Sequence, residues 1–101
     1  MREIPTSYYR EGFTYTLLKR DGNVAIYEQR RTYDTPDKDF VRYETVIIRK
    51  HTKDNDFVGT KAGDEYLPNP AAWGSYGWTY ITFEQAREKM SKIILEMSEK
   101  M

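Results

Sequence analysis

His51 is the only histidine in the chain, and Lys50 and Lys53 stand close on either side of it. A histidine can serve as a general base near neutral pH, but it then needs a nucleophile or substrate within hydrogen-bond reach and a group to orient it. The four serines, at positions 7, 75, 91 and 98, lie in no nucleophile-elbow pattern, and there is no cysteine. His51 therefore reads first as a loop histidine and second as the base of a small enzyme. Asp34, Asp37, Asp39, Asp54 and Asp56 fall in two runs, DTPDKD and DND, whose oxygens could gather round a hard cation. Their order is not that of a calcium loop, and aspartates in such runs commonly make turns, so no metal is expected. GDEYLPNPAAWG has no phosphate-loop pattern and carries two acids, so no cofactor is expected either.

Basic and aromatic residues interleave in LLKRDGNVAIYEQRRTY and VRYETVIIRKHTK. On the open face of a sheet, such residues could bind a single strand of nucleic acid, with Arg30, Arg31, Arg42, Arg49 and Lys50 as the candidate contacts. Glu28 and Glu44 lie among them and the RNA-recognition strand pattern is missing, so a solvated face of alternating charge explains the same residues. Trp73, Tyr76 and Trp78 sit among Gly74 and Gly77, which relieve backbone crowding and let large rings be presented at a bend. Trp78 reads as core. Trp73 and Tyr76 read either as a lid over the sheet edge or, with Phe57 and Tyr66, as a surface that binds a protein partner.

These residues must be positioned by a small set of elements. Phe13 to Leu17 alternate with threonines, Asp21-Gly22 interrupts, and Val24 to Tyr27 follow, which predicts a hairpin with a type I′ turn. FVRYETVIIRK predicts a third strand with Val41, Tyr43, Thr45 and Ile47 on its inward face. Residues 51–72 show no period and form a long loop, and loops beyond roughly 12–15 residues are usually functional or disordered. GWTYITF is a fourth strand, with Trp78 and Tyr80 on one face. Thr82 and Gln85 make a capping box, after which Phe83, Ala86, Met90, Ile93, Ile94 and Met97 recur at helical spacing, predicting a helix over about 83–99. The expectation is an α+β fold: a four-stranded, mainly antiparallel sheet with an N-terminal hairpin and one C-terminal helix packed across one face. Residues 1–11 could add a strand or an arm.

A chain of 101 residues is one domain's worth. Its apolar fraction of 39% is low, yet fifteen aromatics are too many for a disordered chain. Sixteen basic and sixteen acidic residues cancel, so no overall field draws it to nucleic acid or an anionic membrane. MREIPTSYYREGF has no signal-like apolar run and no window approaches a membrane span, so a cytoplasmic protein without a membrane partner is expected.

Two resemblances add to this. The last third of the chain resembles the WGR domain: Trp73-Gly74 supply the first two letters of its motif, a strand follows, and the helix opens on Phe83-Glu84. Ser75 stands where that family has arginine, so its contact with DNA ends is not carried over. More broadly, YETVIIRK, the polar loop, LPNPAAWGSYGW and TFEQAREKM are similar to small accessory proteins of bacteriophages and mobile elements. That resemblance implies action on host machinery in the host cytoplasm and assigns no residue a role. The reading that gathers most of these features is a non-enzymatic binding module with a protein partner. A single-strand nucleic-acid binder and a small enzyme using His51 or the loop aspartates are the alternatives, and a sheet edge offers a route to a homodimer.

Overall fold

The computed structural model describes residues 2–32 and 40–99, so Asp34, Asp37 and Asp39 lie outside the described residues. Strands β1 (Ser7–Arg10), β2 (Phe13–Asp21), β3 (Val24–Arg31), β4 (Val41–Ile47), β5 (Arg49–Lys50), β6 (Glu65–Tyr66) and β7 (Gly77–Tyr80) precede one helix, α1 (Phe83–Glu99). Five of the strands form an antiparallel sheet in the order β1-β2-β3-β4-β7, and β5 and β6 pair as a separate ribbon. The sheet thus has one strand more than the four expected, because Ser7–Arg10 folds back on β2. The N-terminal hairpin and the helix across the sheet are as the sequence predicts. Among the described residues no helix is long and apolar enough to cross a membrane.

The turn between β2 and β3 sits one residue later than the Asp21-Gly22 signal suggests. Asp21 pairs with Val24, leaving Gly22 and Asn23 as the turn, and only Gly22 has a positive φ, of 61°. Positive φ at the first turn residue alone belongs to type II′, which wants glycine there, rather than to type I′. The β1–β2 turn is the one with two positive φ values, Glu11 at 50° and Gly12 at 87°. A glutamate in that region costs on the order of 1–2 kcal/mol.

Strand β2 also carries a bulge. Its register with β3 shifts between Leu17 and Lys19, so that Lys19 faces Ile26 and Arg20 faces Ala25. One extra residue reverses which side chains point to which face. Arg20 thereby joins the face of Ala25 and Tyr27, and Lys19 the face of the helix.

The helix packs as its period requires. Ala86, Met90 and Ile93 are buried against Val24 and Ile26, with Tyr43, Ile47, Trp78 and Phe83 around them. Thr82 and Gln85 form the capping box, the Gln85 amide donating to Thr82 Oγ1 (3.2 Å) and the Thr82 amide to Gln85 Oε1 (3.1 Å). Thr45 is fully buried, and its hydroxyl donates to the Ala86 carbonyl at 2.8 Å, docking the helix on β4. Trp78 is half-buried beneath the helix, with Lys89 Nζ 4.3 Å from its ring centroid.

The opposite face, expected to be open, has a core of its own. Ile4, Tyr15, Ala25, Tyr27, Val46 and Ile48 are buried there, and Leu67 packs on them from the long loop. The physical reason is visible in β3, where Val24-Ala25-Ile26-Tyr27 is apolar at every position rather than every second one, the pattern of a strand covered on both sides. The cover is the segment before β1, clamped to the loop. Arg2 donates its amide to Asp64 Oδ1 (2.8 Å), the Glu65 amide donates to the Arg2 carbonyl (2.8 Å), and the Ile4 amide donates to Glu65 Oε1 (3.1 Å). The Arg20 guanidinium then donates to both Glu65 oxygens at 2.8 and 2.5 Å. Tyr27 closes the arm from beneath, its hydroxyl donating to the Pro5 carbonyl at 2.6 Å.

Candidate functional site

Between β1, the loop and β7, the second face keeps a cleft of about 370 Å³. Val46 and Glu44 of β4 form its floor, Tyr8 and Tyr15 line it from β1 and β2, and Trp73 lines it from the loop end. Leu67, Pro68 and Pro70 line it from the loop as well, while Arg10 contributes from the end of β1 and Glu11 from the β1–β2 turn.

The Trp73 wall is built by the corner that joins the loop to β7. Asn69 caps a short 3₁₀ turn, Pro70–Ala72, and accepts the Ala72 amide on its side chain at 3.1 Å. Gly74 then turns with φ of 90° and donates its amide to the Gly77 carbonyl at 2.8 Å. This folds the indole back over Gly77, and its Nε1 donates to Thr79 Oγ1 at 3.0 Å. A Cβ at Gly77 would stand 2.5 Å from Trp73 Cζ3, so only glycine leaves room for the ring. Gly77→Ala is expected to push the indole outward, break its bond to Thr79 and cost about 1–2 kcal/mol. Read in a Trp78→Phe background, Trp73 emission should move toward that of a solvated indole; unchanged emission would contradict this packing.

The tyrosine wall is equally local in origin. Tyr8 pairs with Tyr15 across β1 and β2, and their rings stack 4.6 Å apart at 6°. Tyr8 also meets Tyr27 edge-on at 5.4 Å, and Gln29 Nε2 donates to the Tyr15 hydroxyl at 3.0 Å. Burial, and then the negative potential of Glu44, push both the Tyr8 and Tyr15 phenols above their ordinary range.

Glu44 is the charge at the centre. Its partners in the ladder are Tyr27 on β3 and Thr79 on β7, which set it mid-sheet. The residue is 8% exposed, and no donor among the described residues hydrogen-bonds its carboxyl. Burial pushes its pKa up to about 7, with the Arg10 guanidinium pulling the other way.

Of the sequence-predicted partner residues, only Trp73 lines this cleft. Tyr66 and Tyr76 flank the Arg49 guanidinium instead, at 5.0 and 3.9 Å, and His51 stacks on Tyr66 at 4.4 Å. Phe57 is 96% exposed at the tip of the tight turn between Asn55 and Thr60. The candidate nucleic-acid contacts are likewise divided. Arg31 and Arg42 lie over the Phe40 ring at 5.2 and 4.5 Å, near the start of β4. Arg49 and Lys50 lie beyond its other end, roughly 20 Å away at strand spacing. Arg30 is paired with Glu28, two places along its own strand. Asp54 accepts the Ala62 amide at 2.8 Å and Asp56 the Lys61 ammonium at 3.0 Å, so both serve the loop's own turns.

Sequence reasoning passed over Glu44, Tyr8 and Tyr15. Glu44 was visible as an acid inside YETVI, a run apolar at both alternations, which is an unusual place for a solvated charge. Comparison with family models, curated proteins and solved structures returns no significant match. The case for function therefore rests on the cleft.

Proposed function

We propose that this chain is a non-enzymatic binding module that takes a segment of a protein partner into the cleft beside Trp73. The observation that carries the reading is the meeting of Tyr8, Tyr15 and Trp73 over a single buried carboxyl, beneath an apolar roof. Binding sites are built in this way, mostly apolar and aromatic with one or two placed polar groups. Trp73, exposed at the rim, and Tyr8, half-buried beside it, offer contact area at little entropic cost, and tryptophan and tyrosine dominate the energetics of protein interfaces. An accessory role of the bacteriophage or mobile-element kind, acting in the cytoplasm, belongs to the same proposal.

A random-peptide library panned on the immobilised chain, with Trp73→Ala as the counter-target, tests the reading. Enriched peptides should bind the native chain at least about tenfold more tightly than the variant, as loss of a central tryptophan contact implies. No enrichment, or peptides indifferent to Trp73, would overturn it.

A further inference from the structure

We infer that the cleft is a receptor for one organic cation, the ammonium or guanidinium end of a lysine or arginine side chain on the partner. This rests on the protein-binding reading above and names what its centre recognises. Three observations converge on it.

The first is the unmet demand of Glu44. Glu44 is only 8% exposed and lines the cleft, and no described residue donates to its carboxyl, so a donor must reach it from the cleft. Buried acceptors are satisfied in almost all folded proteins, and an exception asks for a missing partner. A ligand that fills the cleft and shuts it off from water must itself bring N–H or O–H donors. The second is the wall. Tyrosine and tryptophan rings present negative faces, and a cation held among them gains from the rings as well as from the carboxylate. The third is size: a cleft of about 370 Å³ admits the end of a long side chain, and lies in the lower part of the range of ligand sites.

Other ligand classes fit less well. An anion would meet Glu44, and Glu11 beside it. A purely apolar group would leave the carboxyl as unsatisfied as before, at a standing cost of about 1–3 kcal/mol. The charged and titratable groups that face Glu44 are Tyr8 and Arg10 on β1, Tyr15 on β2 and Tyr27 on β3, with Glu11 at the turn. Only Arg10 among them is cationic at neutral pH, and it is exposed, so it can turn toward water when a second cation enters. With its midpoint raised to about 7, Glu44 is about half protonated at neutral pH, and it gives up that proton when a second cation arrives.

The test follows the Glu44 carboxyl by carbon NMR in the full chain labelled at glutamate. Increasing butylguanidinium or butylammonium should lower the Glu44 midpoint by about one pH unit, a tenfold weakening of its hold on the proton. Butylurea, neutral and of the same shape as the guanidinium probe, should leave it in place. A midpoint unmoved by both cations, or moved equally by the urea, would overturn the inference. Glu44→Gln supplies a second arm: peptides selected through Trp73 should lose about tenfold in affinity for this variant. Trp73-dependent peptides that bind Glu44→Gln as tightly as the native chain would overturn the cation and leave the protein-binding reading standing. The absence of any selected peptide would count against that reading itself, while the NMR titration still judges the cation.

Discussion

Replacing Glu44 with Gln is expected to stabilise the protein more at pH 8 than at pH 4.5, by a difference of about 3 kcal/mol. The sign follows from the direction of the shift. Burial raises the folded-state pKa to about 7, well above the ordinary value of 4.5. The folded chain therefore holds the Glu44 proton more tightly than the unfolded chain. That contribution is complete below pH 4.5 and is lost as the pH rises through 7. Glutamine cannot titrate in this range, so the variant lacks the slope. Urea denaturation of both proteins at the two pH values measures the difference, and equal effects at both would mean that Glu44 is not a buried, uncompensated acid. Against a total stability of 5–15 kcal/mol for a typical domain, about 3 kcal/mol is a large standing cost. The proposed binding centre would be a physical reason to carry it.

The second large effect is expected at the opposite end of the same face. Glu65→Ala should cost about 2–4 kcal/mol, because it strips the partner from Arg20 and the acceptor from the Ile4 amide at once. The Glu65 side chain is only 6% exposed, so water does not readily replace what is lost. Hydrogen exchange should quicken at Ile4 and Leu17, whose amides donate to Glu65 and to the Thr6 carbonyl, while the helix under the other face keeps its protection. A loss below about 0.5 kcal/mol, within the usual range for surface substitutions, would show that the arm is held by apolar contact alone. This group also has a pH signature of its own. The Arg20 guanidinium holds the Glu65 carboxyl down to about 2, so its contribution is present above pH 4.5 and is lost as the pH falls through 2. Glu44 and Glu65 thus slope in opposite directions, and between them place greatest stability on the acid side of neutrality.

Much of the helical layer was legible because it is periodic. The Thr82–Gln85 box, the stripe through Met90 and Ile93 and the inward alternation of β4 are local patterns, and local patterns survive into the fold. The second face was harder. Its cover comes from the segment before β1 and from the loop end at Leu67, neither of which carries a period that says what it lies against. The run from Val24 to Tyr27 did announce a strand buried on both sides, and read more strictly it would have closed the face expected to be open. The cleft was the least legible part, since Tyr8, Glu44 and Trp73 come from distant segments and meet only through the register of the strands between them. Glu44 looked like one charge among the neighbouring basic residues, because sequence gives a residue's type and not its depth. Trp73 stood out because the loop before it is too long for mere connection, and its corner is a turn built on Gly77 that forms one wall of the cleft.

The bulge in β2 has a consequence for how this chain can vary. Between Leu17 and Asp21 the strand has one residue more than β3 offers partners, and the bulge takes up that excess so that Arg20 faces Ala25 and reaches Glu65. Deleting a single residue between Leu17 and Arg20 would remove the bulge and still leave Arg20 opposite Ala25, on the face of the latch. A second deletion would carry Arg20 to the helix side of the sheet and strip Glu65 of its bidentate partner. The bulge is one residue of slack held within the strand.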